Sequence, residues 1–394
     1  MLPPARFLLQ TLRTALVPLI LSAAAFSAAV LPAEDAGDEA AFGNTAVSGG
    51  TAASGDAAAI SAAPARFLPD GETVLRAYRH TYPERVGTVE YKNGDWTIRA
   101  GSETFYWAGG RLLPEELRGE AEKWRPHSFG VYLAAVPPPA AYSPDYIESL
   151  RAMGNAGAED RALAPEDRHR GFEAALYGGS RRAEIEKHLE PVSFLGYRIV
   201  AHRDIVEALR RVEAAIRGAA ERERAGKSPA AGSGKDGGSL EQFLDDIGQV
   251  GAYNWRAIRG SRRMSYHSWG LAVDILPKKQ DHRAIYWLWE RARNGDWMLV
   301  PPEARWNPPA AVIRAFENEG FIWGGKWALY DNMHFEYRPE LHEINRILAS
   351  KNGAGERSGV STAEGPDLHH LYPKGLGKAG SKPDRRGGAR RGPL

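Results

Sequence analysis

The chain has 394 residues, a formal net charge of +2 and no cysteine. At about 150 residues per domain it has room for two or three domains with a sizeable core, and 43% hydrophobic with 25% charged residues excludes a chain disordered throughout. The balance of 51 basic against 49 acidic residues gives no electrostatic case for nucleic acid, and the lack of thiols excludes disulfides, thiolate zinc sites, iron–sulfur clusters and a cysteine nucleophile.

The first 33 residues read as an export segment. Arg6 and Arg13 supply a positive start, Thr14 to Ala33 carry no charge, and Ser27 and Ala29 offer small residues for cleavage. Twenty uncharged residues also suffice for an uncleaved anchor, against which Pro18 and the Ala-rich composition speak. Either way, the rest of the chain is expected outside the cytoplasm.

Residues 34–64 are Ala, Gly, Ser and Asp with almost no bulky side chain, too little apolar surface to offset the entropy of ordering. Globular composition starts at Phe67. Val89, Tyr91, Trp96, Ile98, Phe105 and Trp107 sit in short runs broken by Asn93-Gly94 and Gly101, which predicts a small β module over about 85–113. Residues 140–190 are polar and helical in pattern. Val192 to Ala201 reads as one strand, and Asp204 is placed to cap a helix carrying Ile205, Leu209, Val212 and Ile216 on one face.

A Gly/Ser/Lys stretch over 225–239 reads as a flexible insertion, followed by a helix with Leu240, Phe243, Leu244 and Ile247. Asp281 is expected to begin a helix carrying Ile285, Leu288, Trp289 and Ala292 that ends near Gly295. Asn307-Pro308 should begin another with Val312, Ile313 and Phe316, ended by Gly320. Residues 351–394 hold nine Lys/Arg against four acids and read as a disordered basic tail.

Two stretches carry the chemistry. In Ser265-Tyr-His267-Ser-Trp-Gly270-Leu-Ala272-Val-Asp274-Ile, apolar residues alternate with Gly270, Ala272 and Asp274, a strand with Asp274 on its small-residue face. His267 stands seven positions earlier, an odd spacing that a regular strand sends to the opposite face, and Gly270 permits a bend that reunites the two. The second stretch runs from Gly320 through Gly324-Gly325 and Trp327 to Asp331-Asn-Met-His334-Phe-Glu336, with His334 and Glu336 on one strand face. Two histidines and an aspartate suit Zn²⁺ with a fourth position left for water, and a nearby carboxylate can act as general base. Asp331 is the candidate for that base and Glu336 its competitor. The other histidines lack such a context: His80, His127, His169, His188 and His202 are scattered, and His369-His370 lies in the tail, where any metal binding is adventitious.

These stretches resemble the zinc D-alanyl-D-alanine carboxypeptidase and L-alanyl-D-glutamate peptidase family (VanY-like enzymes), within the group named for lysostaphin, D-Ala-D-Ala metallopeptidases and Sonic hedgehog. The pattern S-x-H-x-x-G-x-A-x-D followed by G-F-x-W-G-G-x-W and D-x-x-H-F is matched throughout. The resemblance covers roughly Phe194 to Leu341. It implies that His267, Asp274 and His334 are zinc ligands and Asp331 the base, and an Asp in that role looks like the L-alanyl-D-glutamate branch. The family also uses an arginine that polarises the scissile carbonyl, where a fixed cation beside a developing oxyanion needs no reorganisation. Arg256, Arg259, Arg262 and Arg263 are candidates, Arg256 first because it sits between Trp255 and Ile258, Arg263 second. Ser265, Arg263 and Trp327 are the candidate substrate-binding residues, although tryptophans here also serve as core.

The expected fold class is α+β: a small antiparallel sheet flanked by helices, hedgehog-like, with a β-rich N-terminal accessory module. The expected division is 1–33 export segment or anchor, 34–64 linker, 65–135 accessory module, 136–190 helical connection, 191–350 peptidase domain and 351–394 tail. The expected function is a monomeric, exported zinc peptidase of the periplasm or cell envelope that cleaves peptidoglycan stem peptides with zinc-activated water. Its rivals are a non-catalytic zinc-bearing wall-binding protein and a wall-anchoring structural protein. No nucleic-acid partner is expected, and a membrane only through the anchor.

Overall fold

The computed structural model describes residues 69–355, apart from 128, 130, 131, 133, 134, 137, 156–167, 227–238 and 258–263. The stretches read as export segment (1–33) and linker (34–64), nearly all of the Gly/Ser/Lys stretch and the residues beyond 355 lie outside the described residues. Among the described residues no helix is long and apolar enough to cross a membrane.

The described chain opens with helix α1 (Gly71–Thr81), capped by the Asp70 carboxylate, which accepts from the Thr73 amide at 2.7 Å. Strands β1 (Val86–Lys92), β2 (Asp95–Ala100), β3 (Glu103–Tyr106) and β4 (Leu113–Pro114) form an antiparallel meander in that order, with Val89, Tyr91, Trp96, Ile98 and Phe105 in strands as their alternation predicts. Asn93-Gly94 makes its first turn with φ of 51° and 80°, as a two-residue hairpin of the twisted-strand type requires. Helices α2 (Pro144–Asn155), α3 (Gly171–Tyr177) and α4 (Arg182–Ile185) follow.

Residues 189–202 are a hairpin, not the single strand read from the sequence. Strands β5 (Leu189–Phe194) and β6 (Tyr197–His202) pair antiparallel about a tight turn at Leu195-Gly196, with φ of 50° and 88°. Leucine is a poor turn residue, so only Gly196 marked the reversal. Helix α5 (Arg203–Arg224) carries Ile205, Leu209, Val212 and Ile216 buried on one face as expected, and His202 supplies the capping acceptor for the Asp204 amide. Helix α6 (Leu240–Asp246) has a Ser239–Gln242 capping box and passes directly into β7 (Ile247–Gly251), so Ile247 starts a strand.

The second four-stranded sheet has the order β7, β8 (Ala272–Pro277), β10 (His334–Tyr337), β9 (Phe321–Trp323), antiparallel throughout. Between β8 and β9 the expected helix from Asp281 shrinks to α7 (Trp287–Arg291). Asp281 and His282 have φ of 42° and 60°, and Ala284 and Tyr286 are drawn into extended bridges with Arg305 and Asp331, pairings that no local pattern announces. Helix α8 (Ala310–Asn318) buries Val312 and Phe316, and Gly320 reverses the chain at φ 87°. Helix α9 (Pro339–Gly355) runs five residues into the segment read as tail.

One hydrophobic core joins the β module to the second sheet. It includes Val74, Leu75 and Phe105 on one side and Phe194, Phe316, Phe335, Leu341 and Ile344 on the other. Phe316 and Phe335 stack at 3.9 Å between ring centres, seating α8 on β10. Helix α9 packs on α1, where Lys351 donates to Thr73 Oγ1 at 2.7 Å. The fold is therefore α+β, with small antiparallel sheets and helices on their faces.

Candidate metal centre

The centre is built on the middle of the second sheet. In the β8–β10 register Asp274 stands directly opposite His334, so both side chains rise from one face of neighbouring strands. His267 comes from a short 3₁₀ turn (Tyr266–Trp269) ahead of β8. Ser265 caps that turn by accepting from the His267 amide at 3.2 Å, and Gly270 ends it at φ 69°. A Cβ at Gly270 would lie 2.8 Å from the His202 amide nitrogen and from a Leu189 methyl carbon, so the reversal needs both the left-handed backbone and the missing side chain. The bend folds His267 back over Asp274 and resolves its odd spacing.

The three side chains converge. His334 Nδ1 lies 2.9 Å from Asp274 Oδ1, His267 Nε2 lies 3.1 Å from Asp274 Oδ2, and the two imidazole nitrogens are 3.2 Å apart. Ligand atoms on tetrahedral zinc at bond lengths of 2.0–2.1 Å sit about 3.3 Å from one another. The donor set and its spacing thus fit Zn²⁺. All three residues are buried, and among the described residues they are the group that gathers as potential metal ligands.

Each ring is oriented from behind. His267 Nδ1 donates to the Ala252 carbonyl at 2.5 Å, which leaves the Nε2 lone pair facing the centre. His334 Nε2 faces Glu336 Oε2 at 3.4 Å, leaving Nδ1 for the centre. Burial would raise the Asp274 pKa, but the adjacent His267 and His334 together hold it far below the usual carboxylate range, so the carboxylate stays ionised.

Glu336 is fully buried and commits both oxygens, Oε2 to His334 and Oε1 to Arg338 at 3.1 Å. Asp331 is also buried, and its backbone is held on both sides. Its amide donates to Gly324 at 3.0 Å and its carbonyl accepts from the His334 amide at 3.2 Å. A Cβ at Gly324 would meet the Asp331 carbonyl at 2.6 Å, which accounts for the first glycine of Gly324-Gly325. Trp327 is buried with its ring centre 5.5 Å from that of His334.

Arg256 is half-buried and its backbone is clamped to the His267 turn. Its amide donates to Ser268 Oγ at 3.1 Å, and its carbonyl accepts from Ser268 Oγ at 2.8 Å and from the Ser265 amide at 3.3 Å. Its buried Nε has no hydrogen-bond partner among the described residues. Arg263, with Arg259 and Arg262, lies outside the described residues. Of the histidines set aside, His127 pairs with Glu173 at 2.8 Å, His80 with Glu343 at 2.9 Å, and His202 donates to the Tyr177 carbonyl at 3.2 Å. Sequence reasoning missed Arg338 and Glu340, both buried, whose signal was a charged Arg-Pro-Glu run directly after the strand that carries His334 and Glu336.

Residues 259–337 match a family described as D-alanyl-D-alanine carboxypeptidase, and residues 74–129 match a domain of unknown function. No curated protein and no solved structure matches the chain. The first matched segment contains His267, Asp274, Asp331 and His334. Together with the buried His-Asp-His group, its similarity to the D-alanyl-D-alanine carboxypeptidases indicates a zinc peptidase.

Proposed function

We propose that the protein is a zinc peptidase that hydrolyses amide bonds in peptidoglycan stem peptides, of the D-alanyl-D-alanine carboxypeptidase or L-alanyl-D-glutamate endopeptidase type. The observation that carries the reading is the convergence of His267, Asp274 and His334 at mutual distances of 2.9–3.2 Å within the segment similar to that family. When bound there, zinc would lower the pKa of water and polarise the scissile carbonyl.

The chain's own residues divide the remaining work. Asp331 takes the proton as general base; Glu336, the competing carboxylate, is already spent on His334 and Arg338. Arg256 faces the developing oxyanion, a role supported by its clamped backbone and a guanidinium Nε without a partner among the described residues. Trp327 and Arg263 contact the substrate, and Ser265 holds the turn that presents His267. The charge-free N-terminal stretch supports export, with the enzyme acting as a monomer in the periplasm or envelope. Mass spectrometry of muropeptides digested by the full chain tests the reading. Loss of a terminal D-alanine or cleavage after L-alanine supports it, and chelation should abolish either. Binding to peptidoglycan that survives chelation, without cleavage, would favour a wall-binding protein instead.

A further inference from the structure

Behind His334 runs a chain of buried polar groups that leaves the second sheet and ends in the N-terminal segment. Glu336 Oε2 meets His334 Nε2, and Glu336 Oε1 accepts from Arg338 Nη1 at 3.1 Å. Arg338 Nε donates to Glu340 Oε1. Glu340 in turn accepts from Tyr82 at 3.2 Å through Oε2, and more distantly from Tyr78 at 3.5 Å through Oε1. Tyr82 and Tyr177 hydroxyls lie 3.0 Å apart. A carboxylate only accepts, so the single Tyr82 proton goes to Glu340 and Tyr177 is the donor between the two phenols.

The charges explain why the chain needs its far end. One guanidinium, Arg338, serves two carboxylates, Glu336 and Glu340, and all three are buried. A buried carboxylate that lacks donors is costly, and low dielectric makes each link sensitive to its neighbours. The phenols of Tyr78 and Tyr82 supply neutral donors to Glu340, and Tyr177 donates to the Tyr82 hydroxyl, so that Glu340 does not depend on the shared guanidinium alone. Burial holds all three well above their ordinary pKa, so they keep their protons. Arg338 also lies over the Tyr266 ring at 5.1 Å, against the turn that carries His267.

We propose that Tyr82, with Tyr78, is a positioning residue of the metal centre, acting through Glu340, Arg338 and Glu336 on the His334 imidazole. The segment over 74–129 is then a working part of the peptidase and not a detachable accessory. The proposal rests on the metal-centre reading above. It goes beyond the matched family segment, which stops at 337, one residue short of Arg338, whereas Tyr78 and Tyr82 fall in the other matched segment.

The test measures zinc affinity of the full chain by competition with a chromophoric chelator, and the visible spectrum of the Co²⁺-loaded protein. Residues that orient a metal ligand are worth about 10–100-fold in metal affinity, and Glu336→Gln should fall in that range. Tyr82→Phe, one step further out, should weaken zinc about 3–10-fold and shift the Co²⁺ bands, with Tyr78→Phe as the milder second variant. Lys351→Met is the control. It removes a tie between α1 and α9 at Thr73 and Asp70 without touching the chain, and should leave both readouts unchanged. In a Glu336→Gln background, Tyr82→Phe should have no further effect. Wild-type affinity and spectrum in Tyr82→Phe, an equal loss in Lys351→Met, or full additivity with Glu336→Gln would each overturn the coupling. A wild-type chain that takes up no zinc would overturn the metal-centre reading itself and the coupling with it.

Discussion

His334 and Asp274 are register partners across β10 and β8, and the imidazole Nδ1 lies 2.9 Å from the carboxylate. Two adjacent central strands thus fix two of three ligands without any loop, and only His267 depends on a turn. Sites on rigid strands hold their geometry better than sites on loops, so the centre is largely preformed.

The first prediction follows from that arrangement. His334→Ala leaves Asp274 and His267 as two ligands, too few to hold zinc well. Zinc affinity should fall at least about a hundredfold, while far-ultraviolet circular dichroism stays native because the fold is held by the apolar core that packs the helices on the sheets. Metal analysis showing full zinc occupancy in this variant after dialysis would remove His334 from the ligand set.

Gly270 is the hinge of the third ligand. Alanine there must adopt φ near 69° and place a methyl 2.8 Å from the His202 amide nitrogen, a backbone atom with little freedom to retreat. Left-handed backbone costs about 1–2 kcal/mol and the overlap adds to it, so Gly270→Ala should destabilise the metal-free protein by about 2–4 kcal/mol. Urea unfolding midpoints at constant slope measure this, and a loss below about 0.5 kcal/mol would show that the turn relaxes freely.

The elements that local pattern reveals are those whose partners lie nearby. The Asn93-Gly94 turn, the apolar face of α5 and the alternation of β8 needed only a few neighbouring residues to be read. The separation of His267 from Asp274 was legible too, because Gly270 sits between them. What escaped depends on distant chain. Ala284 and Tyr286 are extended because they pair with Arg305 and Asp331, and α9 is secured in part by α1, more than 250 residues earlier. The Glu340–Tyr82 contact spans 258 residues, so nothing around Glu340 announced its partner.

His202 gives a pH dependence outside the metal centre. Burial pushes its pKa down to about 4, although the neighbouring Asp204 acts the other way. In the unfolded chain a histidine titrates near about 6.5. Between these values the unfolded state binds a proton that the folded state refuses, so stability is fully present above about pH 6.5 and is lost as pH falls toward about 4. The loss should be on the order of 2–3 kcal/mol for the metal-free protein. Glu173, held down at about 2 because His127 outweighs the effect of burial, acts in a separate, lower window. Urea titrations at pH 7.5 and pH 5 should show this slope in wild type and a flatter one in His202→Gln. Equal slopes would assign the effect elsewhere.

The sharpest division of labour is between Asp331 and Glu336. Both are buried and both lie within three residues of His334, but their surroundings differ. Glu336 has one oxygen on His334 Nε2 and the other on Arg338, so both oxygens are engaged in steadying the ligand from behind. Asp331 has its backbone pinned to Gly324 and to the His334 amide, which fixes it relative to the centre. General bases contribute typically 10²–10⁴-fold, about 3–5 kcal/mol of barrier. Asn keeps the shape of Asp but cannot take the proton. Asp331→Asn should therefore lose at least about a hundredfold in kcat on a muropeptide while binding zinc within about threefold of wild type. Glu336→Gln should show the converse, with weaker zinc and a rate that recovers substantially when zinc is in excess. Near-normal turnover in Asp331→Asn, together with a loss in Glu336→Gln that excess zinc does not restore, would exchange the two roles.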